Sequence, residues 1–367
     1  MFFPLIDVLR GFAAISVVIF HIISHFNWDS FPKSGPLVWF RIGWVAVDLF
    51  FVISGFVISL SAFSTLDKTS DRILYYRHFI RHRLARIVPL HYLTCLVFIV
   101  FIMPFMFFDH RAWWHIITHL LFIHNLFADH QGSINGVNWS LAAEMQFYLV
   151  IMFLAPYLKK VPWWGILIGS MIVAWSWRAA VFLTTDLHGP TGVFHRFVFE
   201  TQLPGMIDEF ACGILLARFV RSESGKRFLT QNVQRLWLVP LSAMCLVYSA
   251  QRIFWHHATF WDSFGMVVFF RTYLAITCVS LVLLCCCFNQ KIVVKLSAPL
   301  RYLGTISFGV YLWHLSVIMS FKHMDWLSGG RALPVIVIIT IIFAVISWVF
   351  IEKPIMAYFS RKLPRND

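Results

Sequence analysis

The chain has 367 residues, of which 59% are hydrophobic and only 13% charged, and it carries a net charge of +13. A soluble domain is about 45–50% apolar and about 25% charged, so this composition excludes a disordered chain, a coiled coil and a disulfide-stapled secreted module. It points instead to an all-α polytopic membrane protein, and the 39 Phe and 16 Trp suit a chain that meets lipid.

Apolar runs able to cross about 30 Å of hydrocarbon, roughly 20 residues each, fall at 5–25, 41–63, 87–108, 138–158, 162–183, 203–217, 236–251, 266–288, 302–321 and 333–351. The sixth is short and interrupted by Asp208, Glu209 and Gly213. The first carries Asp7 and Arg10 and continues inward, so it does not read as a cleaved signal peptide. Alternate gaps hold Arg10, the Lys68–Arg86 group, Lys159 and Lys160, the Arg218–Arg235 group, and Lys291, Lys295 and Arg301. Lys353, Arg361, Lys362 and Arg365 complete a set of 21 among 30 Lys and Arg. The positive-inside rule then puts both termini in the cytoplasm. The lipid bilayer accounts for the basic excess, and no polar stretch is large enough to hold nucleic acid. Cys95, Cys212, Cys245, Cys278 and Cys285–Cys287 sit in or at the ends of apolar runs and read as small packing residues. No internal repeat or linker divides the chain, so 1–367 reads as one membrane domain.

An ionisable residue inside a span costs several kcal/mol and marks a functional candidate. Arg10 and His21 lie 11 residues apart, about 16 Å along a helix and nearly in phase around it. They set a cation at the inner end and a titratable base in the outer half of one stripe. The plain alternative is an interfacial Arg and a satisfied core His. Arg81, Arg83 and Arg86 precede Ile87, Pro89 and Tyr92. Arg83 and Arg86 share a helix face, and guanidinium forks suit phosphate, although a positive-inside collar looks the same. Ser140, Glu144 and Tyr148 recur every four residues after Trp139, and Glu144 needs a partner or a proton. Tyr311 and His314 in the ninth span, and Asp48 in the second, are further lining candidates, with core packing as their alternative. Glu352-Lys353-Pro354 reads as a helix end.

Taken in order, these segments resemble the acyltransferase 3 family of integral membrane acyltransferases. The match includes Asp7-x-x-Arg10-Gly11-x-Ala13 with His21, Val47 to Phe56, Arg83-x-x-Arg86 with Pro89, and Trp139-Ser140-Leu141 with Glu144, Phe147 and Tyr148. It continues with Glu209 to Gly213, Tyr311-x-x-His314 and Glu352-Lys353-Pro354. The resemblance implies transfer of an acyl group, usually acetyl from acetyl-CoA, to a hydroxyl of a glycan or glycolipid in the cytoplasmic membrane. Acceptors of such proteins include O-antigen, exopolysaccharide, peptidoglycan and secondary metabolites. Some members carry an extra extracytoplasmic hydrolase-like domain, which is not expected in the 15 residues after Glu352.

On this reading Arg10, Arg81, Arg83 and Arg86 take the CoA phosphates, and His21 accepts a hydroxyl proton or the acyl group itself. Glu144 is expected to meet His21 and fix its tautomer. No metal is required, since the His residues between 110 and 130 lack a ligand pattern. Two other functions compete: an acyltransferase for a small metabolite such as a macrolide, and a transporter or flippase of glycan precursors. Intramembrane charge is shared by all three, but no repeat of the transporter kind is visible. Acyl chain, sugar, hydroxyl position and oligomeric state are not encoded legibly.

Overall fold

The computed structural model describes residues 3–189, 191–230, 237–257, 259–288, 290–324 and 326–359. Arg235, Arg361, Lys362, Arg365 and the first residue of the 236–251 run lie outside them. The described chain is all α-helix with short 3-10 and π segments, as expected where lipid offers no partner for backbone groups. In order the helices are α1 (Ile6–His25), α2 (Ala46–Leu66), α3 (Arg72–Val97), α4 (Ala112–Leu120), α5 (Trp139–Leu158), α6 (Trp163–Thr184), α7 (Gly192–Glu200), α8 (Leu203–Arg221) and α9 (Glu223–Thr230). They continue with α10 (Leu238–His256), α11 (Arg271–Cys287), α12 (Lys291–Leu296), α13 (Ala298–Thr305), α14 (Ser307–Phe321), α15 (Ala332–Ser347) and α16 (Lys353–Phe359).

Eight helical stretches among the described residues are long and apolar enough to span a membrane. They contain α1, α2, α3, α5, α6, α10, α11 and the α15–α16 stretch, so the protein is a multi-pass membrane protein. The expected ninth span is broken. Its first residues belong to α13, which meets α14 at 65°. The expected sixth, α8, is long enough but carries Asp208, Glu209, Arg218 and Arg221, too many charges for a simple span. Asp208 and Glu209 are buried against neighbouring helices rather than lipid.

α2 is the centre of the bundle, packed against α1, α5, α8 and α11. Its contact with α8 is backbone to backbone. A Cβ on Gly55 would stand 2.2 Å from Phe210 O, and one on Gly213 would stand 2.3 Å from Val52 O. Small residues allow this approach, which membrane helices need because lipid supplies no hydrophobic drive between them. α3 starts well before the apolar run at 87, capped by Asp71, whose side chain accepts from the amides of Ile73 and Leu74. The basic Arg81–Arg86 segment is therefore already helical and enters the bundle with the span.

One end of the bundle gathers basic residues of the alternate-gap set. Lys159 lies 2.5 Å from Asp67, Arg221 pairs with the same carboxylate, and Arg218 donates to Val161 O at 2.5 Å. The C-terminal ends of α2, α5 and α8 are thereby tied together on one side, with Arg72 bonded to Tyr157 beside them. Lys159 and Arg221 hold the Asp67 carboxyl below its usual range.

Candidate active site

Near that basic end, α1, α2, α3, α5 and α14 enclose a narrow cavity of about 100 Å³. Arg10, Arg83 and Arg86 line it together with Ser54, Ser140, Glu144 and Tyr311. The Arg83 guanidinium lies between the Phe79 and Tyr148 rings, 5.6 and 5.8 Å from their centroids. Its Nε is buried and makes no hydrogen bond. Among the described residues no carboxylate pairs with Arg83 or Arg86, and Asp7 reaches Arg10 only at 4.0 Å. Glu144 is the one acidic residue in this lining. Its Oε1 accepts from Ser54 and, at 2.7 Å, from the Tyr148 hydroxyl. Three guanidiniums against one carboxylate leave the cavity electropositive and fit for an anion.

A second cavity, of about 350 Å³, opens on the other side of Tyr311 and Val47, which line both. His21, Asp48 and Arg271 are its polar residues besides Tyr311, and Trp44, Trp139, Phe197, Phe254, Phe260 and Trp261 form most of its walls. His21 Nδ1 lies 3.0 Å from Val17 O and 3.2 Å from His314 Nε2. A carbonyl only accepts, so the shared proton sits on His21 Nδ1 and Nε2 keeps its lone pair. α1 thus carries Arg10 to the inner cavity and His21 to the outer. Asp48 is not free. Arg271 donates to Asp48 Oδ1 and to Glu200 Oε1, both at 2.8 Å, with Trp44 facing its guanidinium at 5.2 Å.

Behind this wall Arg178 is fully buried. It donates to Asp208 at 2.6 Å, to the carbonyls of Gly205 and Val268, and to Thr272. Thr272 in turn donates to Asp208 Oδ2 at 2.5 Å.

The sequence matches the Acyl_transf_3 family, an acyltransferase domain, over residues 3–352. The chain belongs to the acyltransferase 3 family. It is 27% identical over 388 residues to a Bacillus subtilis protein titled "Putative peptidoglycan O-acetyltransferase YrhL", covering 100% of this chain and 56% of that one. It is 25% identical over 376 residues to the peptidoglycan O-acetyltransferase OatA of Listeria monocytogenes, covering 96% and 55%. The chain spans about half the length of these two curated relatives. No solved structure matches it.

Of the acyltransferase 3 motif residues, Arg10, Arg83, Arg86, Ser140, Glu144 and Tyr311 converge on the inner cavity, and His21, Asp48 and Tyr311 on the outer. Three expectations need correction. Glu144 does not meet His21, because it faces the inner cavity and is taken up by Ser54 and Tyr148. His314 and the Val17 carbonyl hold the imidazole instead. Arg81 is exposed and lies over the Phe359 ring at 5.8 Å, away from the inner cavity. Glu352 does not simply end a helix. The chain continues through it from a π segment (Trp348–Glu352) into α16, and the carboxyl is buried, with Ser347 Oγ 3.4 Å away. Pro354 fits there because it occupies the first turn of a new helical segment.

Sequence reading missed Ser54 as the partner of Glu144, and it missed Arg178 and Arg271 entirely. A signal for those two was present, since each is an arginine inside an apolar run. Both belong to the Lys and Arg outside the basic set of 21, and their burial sharpens the charge asymmetry.

Proposed function

We propose that this acyltransferase 3 chain moves an acetyl group from cytoplasmic acetyl-CoA through the bundle to a hydroxyl of a glycan or lipid-linked glycan outside the cytoplasmic membrane. The observation that carries the reading is the pair of cavities meeting at Tyr311 and Val47, one lined by Arg10 with Arg83 and Arg86, which have no carboxylate partner among the described residues, and the other by His21. CoA is a polyanion with a long, slender pantetheine arm. Arg83 and Arg86, with Arg10, take its phosphates, and the arm follows the narrow cavity toward Tyr311. His21 Nε2 accepts the proton of an acceptor hydroxyl in the outer cavity, with Val17 O and His314 fixing the ring. Glu144 positions Ser54 and Tyr148 beside the arginines. The basic end, closed by Asp67, Lys159 and Arg221, faces the cytoplasm, and so do both termini. Relatives named for O-acetylation of peptidoglycan support a glycan acceptor.

The test uses the full chain in lipid nanodiscs with acetyl-CoA and peptidoglycan fragments or other surface glycans. CoA release coupled to an acetyl mass gain on a sugar is expected. A chain that binds no CoA and transfers nothing, while moving a glycan precursor across vesicles, would refute it.

A further inference from the structure

We propose that the Tyr311 hydroxyl is the hydrogen-bond donor that stabilises the thioester carbonyl oxygen during transfer. This inference rests on the acyl-transfer reading. A thioester arriving through the inner cavity and a hydroxyl arriving in the outer one meet where the linings coincide. Two residues, Val47 and Tyr311, belong to both. Val47 offers only hydrocarbon, whereas Tyr311 offers an O–H.

Its surroundings leave that proton available. Tyr311 OH lies 2.7 Å from Ser140 Oγ and 3.1 Å from Val137 O, and Ser140 Oγ donates to the same carbonyl at 3.2 Å. Two hydroxyl protons thus serve Val137 O and the contact between the two hydroxyls, and either hydroxyl can be the one that donates to the carbonyl. With Ser140 donating to Val137 O, the Tyr311 proton lies on Ser140 Oγ, and it can be exchanged for a ligand oxygen while Val137 O stays satisfied and Ser140 keeps its own bond. Of the other polar groups nearby, Arg271 holds Asp48 Oδ1 and Glu200 Oε1, and His314 Nε2 is turned to His21. Tyr311 and His21 both line the outer cavity, with the His314 ring 5.8 and 5.0 Å from theirs, so donor and base face the same space.

The step balances. The acceptor oxygen forms a C–O bond to the thioester carbon as its proton passes to His21 Nε2. The carbonyl π pair moves onto oxygen, where Tyr311 donates. Collapse restores C=O and breaks the C–S bond, and the CoA thiolate takes the proton back from His21.

An oxyanion donor contributes about 10²–10³-fold to kcat. The full chain in nanodiscs is given acetyl-CoA labelled with ¹³C at the carbonyl, and the bound carbonyl stretch is read by infrared difference spectroscopy alongside CoA release. The wild-type stretch should move to lower frequency on binding. Tyr311→Phe should abolish most of that shift and lower kcat about 10²–10³-fold, with acetyl-CoA affinity changed less than about threefold. Ser140→Ala, which removes only a support, should cost about tenfold or less. An unshifted carbonyl in wild-type protein that binds acetyl-CoA overturns the inference, even if Tyr311→Phe does not fold. So does a Tyr311→Phe enzyme with wild-type kcat. Wild-type protein that binds no acetyl-CoA overturns the acyl-transfer reading itself, and this inference with it.

Discussion

Removing the arginines of the inner cavity should weaken CoA binding without unfolding the protein. Arg83 is wedged between Phe79 and Tyr148, its Nε is unpartnered, and among the described residues no carboxylate pairs with it or with Arg86. Truncation therefore breaks no direct ion pair among the described residues, and breaking such a pair is the usual origin of large stability losses at charged sites. A charge-assisted hydrogen bond contributes about 1.5–3 kcal/mol, and about 1.4 kcal/mol is tenfold in affinity. Arg83→Ala or Arg86→Ala should each raise the Kd for CoA about 10- to 150-fold. Arg83→Lys should recover only part, because an ammonium has no planar fork to slot between two rings and grip phosphate. Arg81→Ala is the control. Its side chain lies over Phe359 outside the cavity, so affinity should change less than about twofold by the small worth of exposed charges. Calorimetric titration of CoA into nanodisc-embedded protein reads all four, with thermal melting as a check on folding. A double Ala variant that melts normally and binds CoA as tightly as wild type would show that these arginines only set topology.

His21→Ala should lose about 10²–10⁴-fold in transfer while still binding CoA, and Glu144→Gln should leave the pH midpoint of activity unmoved because it does not touch His21. A pH–rate profile of each variant checks both. Arg178→Met takes the paired cation from buried Asp208, which keeps only Thr272 and the Glu209 amide, and removes a donor from two backbone carbonyls, at a cost of about 3–5 kcal/mol. Arg178→Met/Asp208→Leu should regain part of that loss in thermal unfolding, and a single variant as stable as wild type would contradict the buried network. Impermeant thiol reagents should reach Lys160→Cys only from the cytoplasmic side and His188→Cys only from outside; the reverse pattern would invert the topology. Lys159 and Arg221 keep Asp67 ionised below the usual carboxylate range. Its stabilisation is therefore full above about pH 4 and fades as pH falls through the lowered value. Asp67 is nearly half exposed, so the effect should stay under about 1 kcal/mol. Comparing the melting of Asp67→Asn and wild type across acid pH measures it.

Much of this protein was legible along the chain because lipid imposes local rules. A span must be a helix of set length, and its loops sort by charge, so eight of the ten runs, the basic end and the family could be read from residues in order. Periodicity also put Arg10 and His21 on one stripe of α1, and Ser140 and Glu144 on one face of α5.

What spacing along single helices does not encode is which faces meet. Glu144 and His21 are both intramembrane ionisable residues at plausible depth, yet the packing of α14 between them gives His21 to His314 and leaves Glu144 to Ser54 of α2. Arg271 joins Asp48 to Glu200 across 223 and 71 residues of sequence. The Tyr311 wall between the two cavities exists only because α14, bent away from α13, presents that side chain to Ser140. Burial of charge is affordable only when partners arrive from other helices, and those partners are a property of the tertiary fold.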